Sequence, residues 1–101
     1  MAIRKSYTYT LEDMKKVYAR NHVDPVTLRD CVRHIINDCY GNARRGLDYF
    51  LVYWSQHFDY YLEQNNNIEK LKSLIIDTLK AREFTVEIIN KDCISVSGWG
   101  E

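Results

Sequence analysis

The sequence predicts an α+β fold that is mostly helical, with four helices followed by a C-terminal β-hairpin. Apolar residues recur at helical spacing through residues 11–82 and then alternate every second position in 84–97. Only four glycines and one proline occur in 101 residues, which favours long helices over many tight turns. With 46% hydrophobic residues at this length, residues 1–101 are expected to form a single domain with its own core.

The N-terminal half predicts two capped helices. Thr10, with Asp13 three residues later, is the pattern of a capping box for a helix over 11–20. Asp24 and Pro25 are typical of the start of a second helix, which Gly41 is expected to end. The apolar stripe of the second helix consists of Leu28, Cys31, Val32, Ile35, Ile36 and Cys39. Upstream, "KSYTYT" alternates and can add a short N-terminal strand to the edge of the hairpin.

The C-terminal half predicts two further helices and the hairpin. Asn42 is expected to cap a third helix over 43–64, and Asn67 a fourth over 68–82, with the third as the central element. A three-residue hairpin loop, 90–92, keeps the apolar side chains of both strands on one face. The resulting pairs are Ile89 with Cys93, Ile88 with Ile94, and Val86 with Val96.

The segment "GLDYFLVYWSQHFDYYLEQ", residues 46–64, is unusually rich in aromatic side chains. As a helix, it would have a core stripe of Leu47, Phe50, Leu51, Trp54, Phe58, Tyr61 and Leu62. A second face would carry Tyr49, Tyr53 and Tyr60, with His57 between the two faces. The tyrosines are either a second packing face or a surface for a protein partner, a second copy included.

Trp99 in "SGWGE" has two interpretations. The indole either folds over the hairpin and caps the core, or remains exposed as an anchor for a partner beside a free strand edge.

Residues 10–35, with the stretch "VDPVTLRDCV", resemble a helix-turn-helix unit. The resemblance implies that the start of the second helix enters the major groove of DNA. It assigns contacts with bases or phosphates to Val26, Thr27, Arg29 and Arg33, and contacts with the phosphate backbone to Lys15, Lys16 and Arg20.

The C-terminal arrangement of a helix followed by a hairpin, "LKAREFTVEIINKDCISVSGW", is similar in general style to small phage- or virus-encoded accessory proteins. That resemblance implies a binding protein that regulates or inhibits a host factor. A non-enzymatic protein-binding regulator is therefore the first functional hypothesis, and a DNA-binding regulator is the alternative.

The charge distribution and the cysteine content indicate what kind of partner and which cellular compartment to expect. The net charge is zero, but residues 1–45 carry +4 and residues 46–101 carry −4, so the first part can meet an acidic partner. Three cysteines without CxxC spacing argue for a reducing compartment. The sequence shows neither a signal peptide nor an apolar run long enough to span a membrane, so we expect a cytoplasmic protein.

Signatures of catalysis are missing from the sequence. Cys31 and Cys39 belong to an apolar stripe and His34 lies off it, which argues against zinc. No phosphate-binding loop, nucleophile elbow or paired-carboxylate pattern occurs. We therefore expect no catalytic residues, metal, cofactor or small-molecule substrate.

Overall fold

A computed structural model of the chain describes residues 9–58 and 67–100. In these ranges the elements are α1 (Leu11–Asn21), α2 (Pro25–Arg44), β1 (Tyr49–Tyr53), the single-turn α3 (Trp54–His57), α4 (Ile68–Ala81), β2 (Thr85–Asn90) and β3 (Cys93–Ser97). The α+β class is confirmed. The described part of the chain contains three long helices instead of four, and the hairpin belongs to a three-stranded antiparallel sheet.

The sheet has the order β1-β3-β2, so the last strand in the chain lies in the centre. The predicted pairs Val86–Val96 and Ile88–Ile94 are confirmed. The predicted pair Ile89–Cys93 is wrong, because Asn90 pairs with Cys93 and the register shifts between Ile88 and Asn90. Asn90 accepts a hydrogen bond from the backbone N–H of Asp92 at 2.8 Å, which closes a turn over 91–92. The hairpin loop is therefore one residue shorter than predicted.

The predicted central helix over 43–64 is wrong. Residues 49–53 form β1 instead, which lies at a sheet edge and pairs Phe50 with Val96 and Val52 with Ile94. Phe50 and Val52 pack into the core from one face of β1. The segment is rich in aromatic and β-branched residues, which suits a half-buried strand once a partner strand is present.

The end of α2 explains part of that error. The helix continues past Gly41 to Arg44, and the chain turns at Gly46, whose φ of +81° suits glycine. Asn42 is therefore inside α2 and does not cap a third helix. Its Nδ2 donates to the backbone oxygen of Tyr49 at 2.8 Å, and its Oδ1 accepts from the guanidinium of Arg45 at 2.6 Å. Asn42 thus ties the end of α2 to the edge strand.

The core lies between one face of the sheet and the two helices α2 and α4. The predicted apolar stripe of α2 packs here, with Cys31, Val32, Ile35 and Cys39 buried. The predicted fourth helix is confirmed, and its buried face consists of Leu71, Ile75 and Leu79. The sheet adds Val52, Ile94 and Val96, and the turn after β1 adds Trp54 and Phe58.

Helix α1 is the exception to this packing. The predicted capping box is confirmed, because Thr10 Oγ1 accepts from Asp13 N at 3.2 Å and Asp13 Oδ2 accepts from Thr10 N at 3.0 Å. None of its eleven residues, all of them described, is buried. Asn67 was expected to cap the last helix, but its Nδ2 donates to the backbone oxygens of Ala19, at 2.8 Å, and of His22. This amide attaches the end of α1 to the start of α4.

The turn of the hairpin is fastened to α3. Asp92 accepts hydrogen bonds from the N–H of Ser55 at 2.9 Å and from its hydroxyl at 2.8 Å, and Trp54 N donates to the Asp92 carbonyl oxygen. The two bonds from Ser55 hold the pKa of Asp92 below its ordinary value.

The predicted strand over 5–10 falls largely outside the described residues, and the third strand of the sheet is β1.

Candidate interaction surfaces

Two of the three predicted interface tyrosines share one face of β1. Tyr49 and Tyr53 are four residues apart in a strand, and they alternate with Phe50 and Val52, which face the core. Both tyrosines are exposed, on the face of the sheet opposite the helices. Tyr60 lies outside the described residues. The strand therefore presents a pair of tyrosines where the sequence predicted a helical face.

His57 is engaged within the fold. Its Nδ1 accepts from the backbone N–H of Tyr53 at 3.1 Å, and its ring meets the ring of Phe50 edge-on, with centroids 5.4 Å apart. The imidazole is half-buried and closes the junction between β1 and α3. Its structural role here is to hold the turn that follows Tyr53.

Trp99 packs on the core. Its Nε1 donates to the backbone oxygen of Leu47 at 2.8 Å, and its ring lies edge-on to Phe84 with centroids 6.4 Å apart. Between Trp99 and α2 a shallow apolar hollow of 210 Å³ remains, lined by Ile36, Cys39 and Tyr40 among others. This geometry supports the core-capping interpretation of the indole.

The exposed apolar face of α1 is a surface that the sequence analysis did not single out. Leu11, Met14, Val17 and Tyr18 lie on one side of the helix, and each is between 49% and 67% exposed. Contiguous exposed apolar side chains of this kind mark contact sites more often than isolated ones do. The sequence did contain the stripe, since these residues recur at helical spacing, but that spacing does not show whether the rest of the chain covers it.

The residues assigned to DNA contact are divided between two helices. Lys15, Lys16 and Arg20 are exposed on α1, and Val26, Arg29 and Arg33 are exposed on α2. Thr27 is half-buried, with its hydroxyl 3.4 Å from the Asp24 carboxylate that caps α2. Because α1 buries no side chain, packing between the two helices does not brace the start of α2 as it does in a compact helix-turn-helix unit.

A cationic groove between α2 and the end of α4 brings together residues that are far apart in the sequence. It encloses 390 Å³ and is lined by Pro25, Leu28, Arg29, Val32, Arg33, Ile36, Thr78 and Arg82. Sequence reasoning identified Arg29 and Arg33 but missed Arg82, which comes from the other wall. The regular spacing of the first two along α2 was visible in the sequence, but the third depends on how α4 packs.

The cysteines are free thiols in the core. All three are buried, and burial raises the pKa of Cys31 and of Cys39 to about 11, with Asp30 and Asp38 as the lesser causes. These two thiols stay protonated near neutral pH and are therefore poor nucleophiles and metal ligands. His34 lies near Asp38, with Nε2 to Oδ2 at 3.6 Å. Among the described residues, no group of three potential ligands could hold a metal ion.

Comparison with known proteins adds no relative. Neither a family model nor a curated protein nor a solved structure matches this chain. In the described ranges, none of the helices combines the length and apolar character needed to cross a membrane.

Proposed function

We propose that this chain is a non-enzymatic, protein-binding regulator that associates with a second copy of itself through α1. The observation that carries the proposal is the exposed apolar stripe of α1, which contains Leu11, Met14, Val17 and Tyr18. The stripe has the spacing of a helix that packs on something, and removing such side chains from water is the main driving force of association. The described fold offers it no cover.

Charge favours a second copy in antiparallel orientation. The first turn of α1 carries Glu12 and Asp13, and its last turn carries Arg20. At 100° per residue, Asp13 and Arg20 lie about 20° apart at the same edge of the stripe. In an antiparallel pair about a two-fold axis, equal edges face each other, so Asp13 of each copy meets Arg20 of the other.

The size of the contact sets the expected strength. Eleven-residue helices that contribute four apolar side chains each bury less surface than a standard stable interface. We therefore expect a concentration-dependent equilibrium between one and two copies, the kind of weak contact that a regulator can exchange for another partner.

Light scattering over a range of protein concentrations tests the proposal. The mass of the unmodified chain should rise towards twice its single-copy value, and Met14→Glu should hold it at one copy. Ala19→Glu is the matched control, because it places the same side chain on the opposite, polar face of α1. Arg20→Glu should weaken the pair as well, since it would leave acidic groups facing each other.

Other outcomes of that experiment overturn the proposal. A single-copy mass at every concentration would do so, as would a Met14→Glu variant that pairs as well as the unmodified chain. If only the double variant Tyr49→Ser/Tyr53→Ser lowers the mass, the tyrosine pair on β1 is the interface instead.

DNA binding by α2 is the second candidate, favoured by the exposed guanidinium groups of Arg29 and Arg33. It predicts an affinity for duplex DNA that falls steeply as salt rises. Arg29→Ala or Arg33→Ala should cost about 1–3 kcal/mol if the residue reads a base. Binding that is absent at low salt, or insensitive to salt, contradicts it.

A cytoplasmic setting and the likeness to viral or phage accessory proteins remain part of the proposal. Three buried free thiols are compatible with a reducing compartment. A pull-down from host cytoplasm with the unmodified chain, compared with Met14→Glu and with the double tyrosine variant, would identify which surface takes a host partner.

A further inference from the structure

We infer that the groove between α2 and α4 is a docking site for an extended acidic segment of another protein, one in which carboxylate and aliphatic side chains alternate. The site is separate from α1 and does not depend on pairing through that helix. Three features carry the inference: the charge of the groove, its apolar floor, and the spacing of its arginines.

The positive charge of the groove is largely uncompensated by carboxylates of the described residues. Three arginines and no acidic residue are among its lining residues. In the described part of the chain, neither Arg33 nor Arg82 has a carboxylate within ion-pair distance. Arg29 reaches Asp30 only at 3.9 Å, between two side chains that are both well exposed, so this pair contributes little. The groove therefore attracts an anion from outside the fold.

The floor of the groove is apolar. Val32 is buried at its base, and the half-buried side chains of Leu28 and Ile36 lie beside it. A phosphate backbone alone gains nothing from such a floor. A peptide segment can use both features if its aliphatic side chains pack on the apolar floor while its carboxylates bind the arginines at the rim.

The spacing of the arginines suits carboxylates that repeat along a chain. Arg29 and Arg33 are four residues apart on α2, which is about 6 Å along the helix axis. Alternate side chains of an extended peptide are about 7 Å apart and point the same way. Each guanidinium can hold a carboxylate with two parallel hydrogen bonds, and Arg82 faces the same space from the opposite wall.

Fluorescence anisotropy with a labelled peptide of alternating leucine and glutamate tests the inference. Arg33→Gln and Arg82→Gln should each weaken binding about tenfold, because each removes charge-assisted hydrogen bonds. Arg44→Gln is the matched control: it removes the same exposed charge from α2 but outside the groove, and it should change Kd by less than about twofold. Circular dichroism of each variant establishes that the fold is retained.

Peptide controls separate charge from the apolar floor. A peptide with glutamine in place of glutamate should fail to bind, and one with glycine in place of leucine should bind at least about tenfold more weakly. Equal binding by either control overturns the inference. It is also overturned if duplex DNA binds more tightly than the peptide and loses that binding in Arg33→Gln, since the groove is then a nucleic-acid contact.

A last comparison separates this site from α1. Met14→Glu should bind the peptide as the unmodified chain does, even if it no longer pairs. Arg33→Gln should pair normally and lose the peptide. Either proposal can therefore fail while the other stands.

Discussion

Helices α1 and α4 carry the same kind of apolar stripe, with very different consequences. In α4, Leu71, Ile75 and Leu79 are almost completely inaccessible to water, while Leu11 of α1 is 67% exposed. The two helices are equally amphipathic, although α1 is the more polar of the two overall, so the presence of a stripe does not by itself show which helix is buried. The comparison teaches that amphipathicity shows that a helix has a face to bury, and topology decides whether the same chain covers it.

The way each helix is connected to the rest of the chain explains why one apolar stripe is buried and the other is exposed. Helix α4 passes through a turn at 82–84 directly into β2, which lies in the sheet that α4 covers. Helix α1 precedes the first core helix, and its described attachment to the rest of the fold is polar, through the amide of Asn67. One helix is thus held by apolar contacts and the other by hydrogen bonds to its last turn.

The largest expected effect is the difference in stability between two matched variants, in which one leucine of each helix is replaced by alanine. Leu79→Ala should lower the free energy of unfolding by about 2–5 kcal/mol, because it leaves a cavity under the sheet. Leu11→Ala should change it by less than about 0.5 kcal/mol when measured in dilute solution, since the side chain is already in water. Urea denaturation of both variants measures the two values, and similar losses would show that α1 is packed in solution.

The variant Asn67→Ala tests whether the Asn67 side chain holds α1 to the rest of the fold. Removing the amide leaves the carbonyl oxygens of Ala19 and His22 without their partner. Because both residues are exposed, water can replace the amide, and the loss should be about 0.5–1.5 kcal/mol. Hydrogen exchange should show faster exchange in α1, while α4 remains protected. Unchanged exchange in α1 would mean that another contact holds the helix. Asn21→Ala serves as the control, because in the described ranges the hydrogen bond of its side chain stays within α1, where it donates to the backbone oxygen of Val17.

The smallest effect concerns Asp92, whose carboxylate joins the hairpin turn to α3. Its pKa is lowered in the folded state, so its bonds from Ser55 contribute stability above the unfolded value of 3.8 and lose that contribution as pH falls through the folded value. Asp92→Asn should therefore melt at a lower Tm than the unmodified chain at pH 7. The two Tm values should converge as pH falls well below 3.8. A difference that stays constant in acid would exclude this carboxylate as the cause.

Much of the helical fold could be predicted because its signals are local. A capping box at Thr10, an Asp-Pro start at residue 24 and a single apolar period in α2 and α4 each depend on neighbouring residues. The strand register of the hairpin could also be predicted, because a slip of one residue would expose its apolar face. Only the pair next to the turn was misjudged, since the Asn90 side chain closes a tighter loop than the apolar pattern indicated.

The strand β1 could not be predicted with the same evidence. A spacing of four residues lies on one side of a helix and also on one face of a strand, so Tyr49 with Tyr53 fits both. The choice depends on β3, which begins 40 residues after β1 ends and supplies the missing hydrogen bonds. Arg82 escaped prediction for the same reason, because only the packing of α4 on α2 brings it to the groove.

The position of β3 in the sheet has a consequence for how the chain acquires its fold. Both edge strands are synthesised before the strand that joins them, and β1 must wait for a partner that is far away in the chain. A large sequence separation between paired residues slows folding, because the entropy of closing the intervening loop is lost before the strand pairing contributes any stability. Until β3 arrives, helices can form but the apolar faces of β1 and β2 remain open to other chains, and that interval is when a chaperone would matter most.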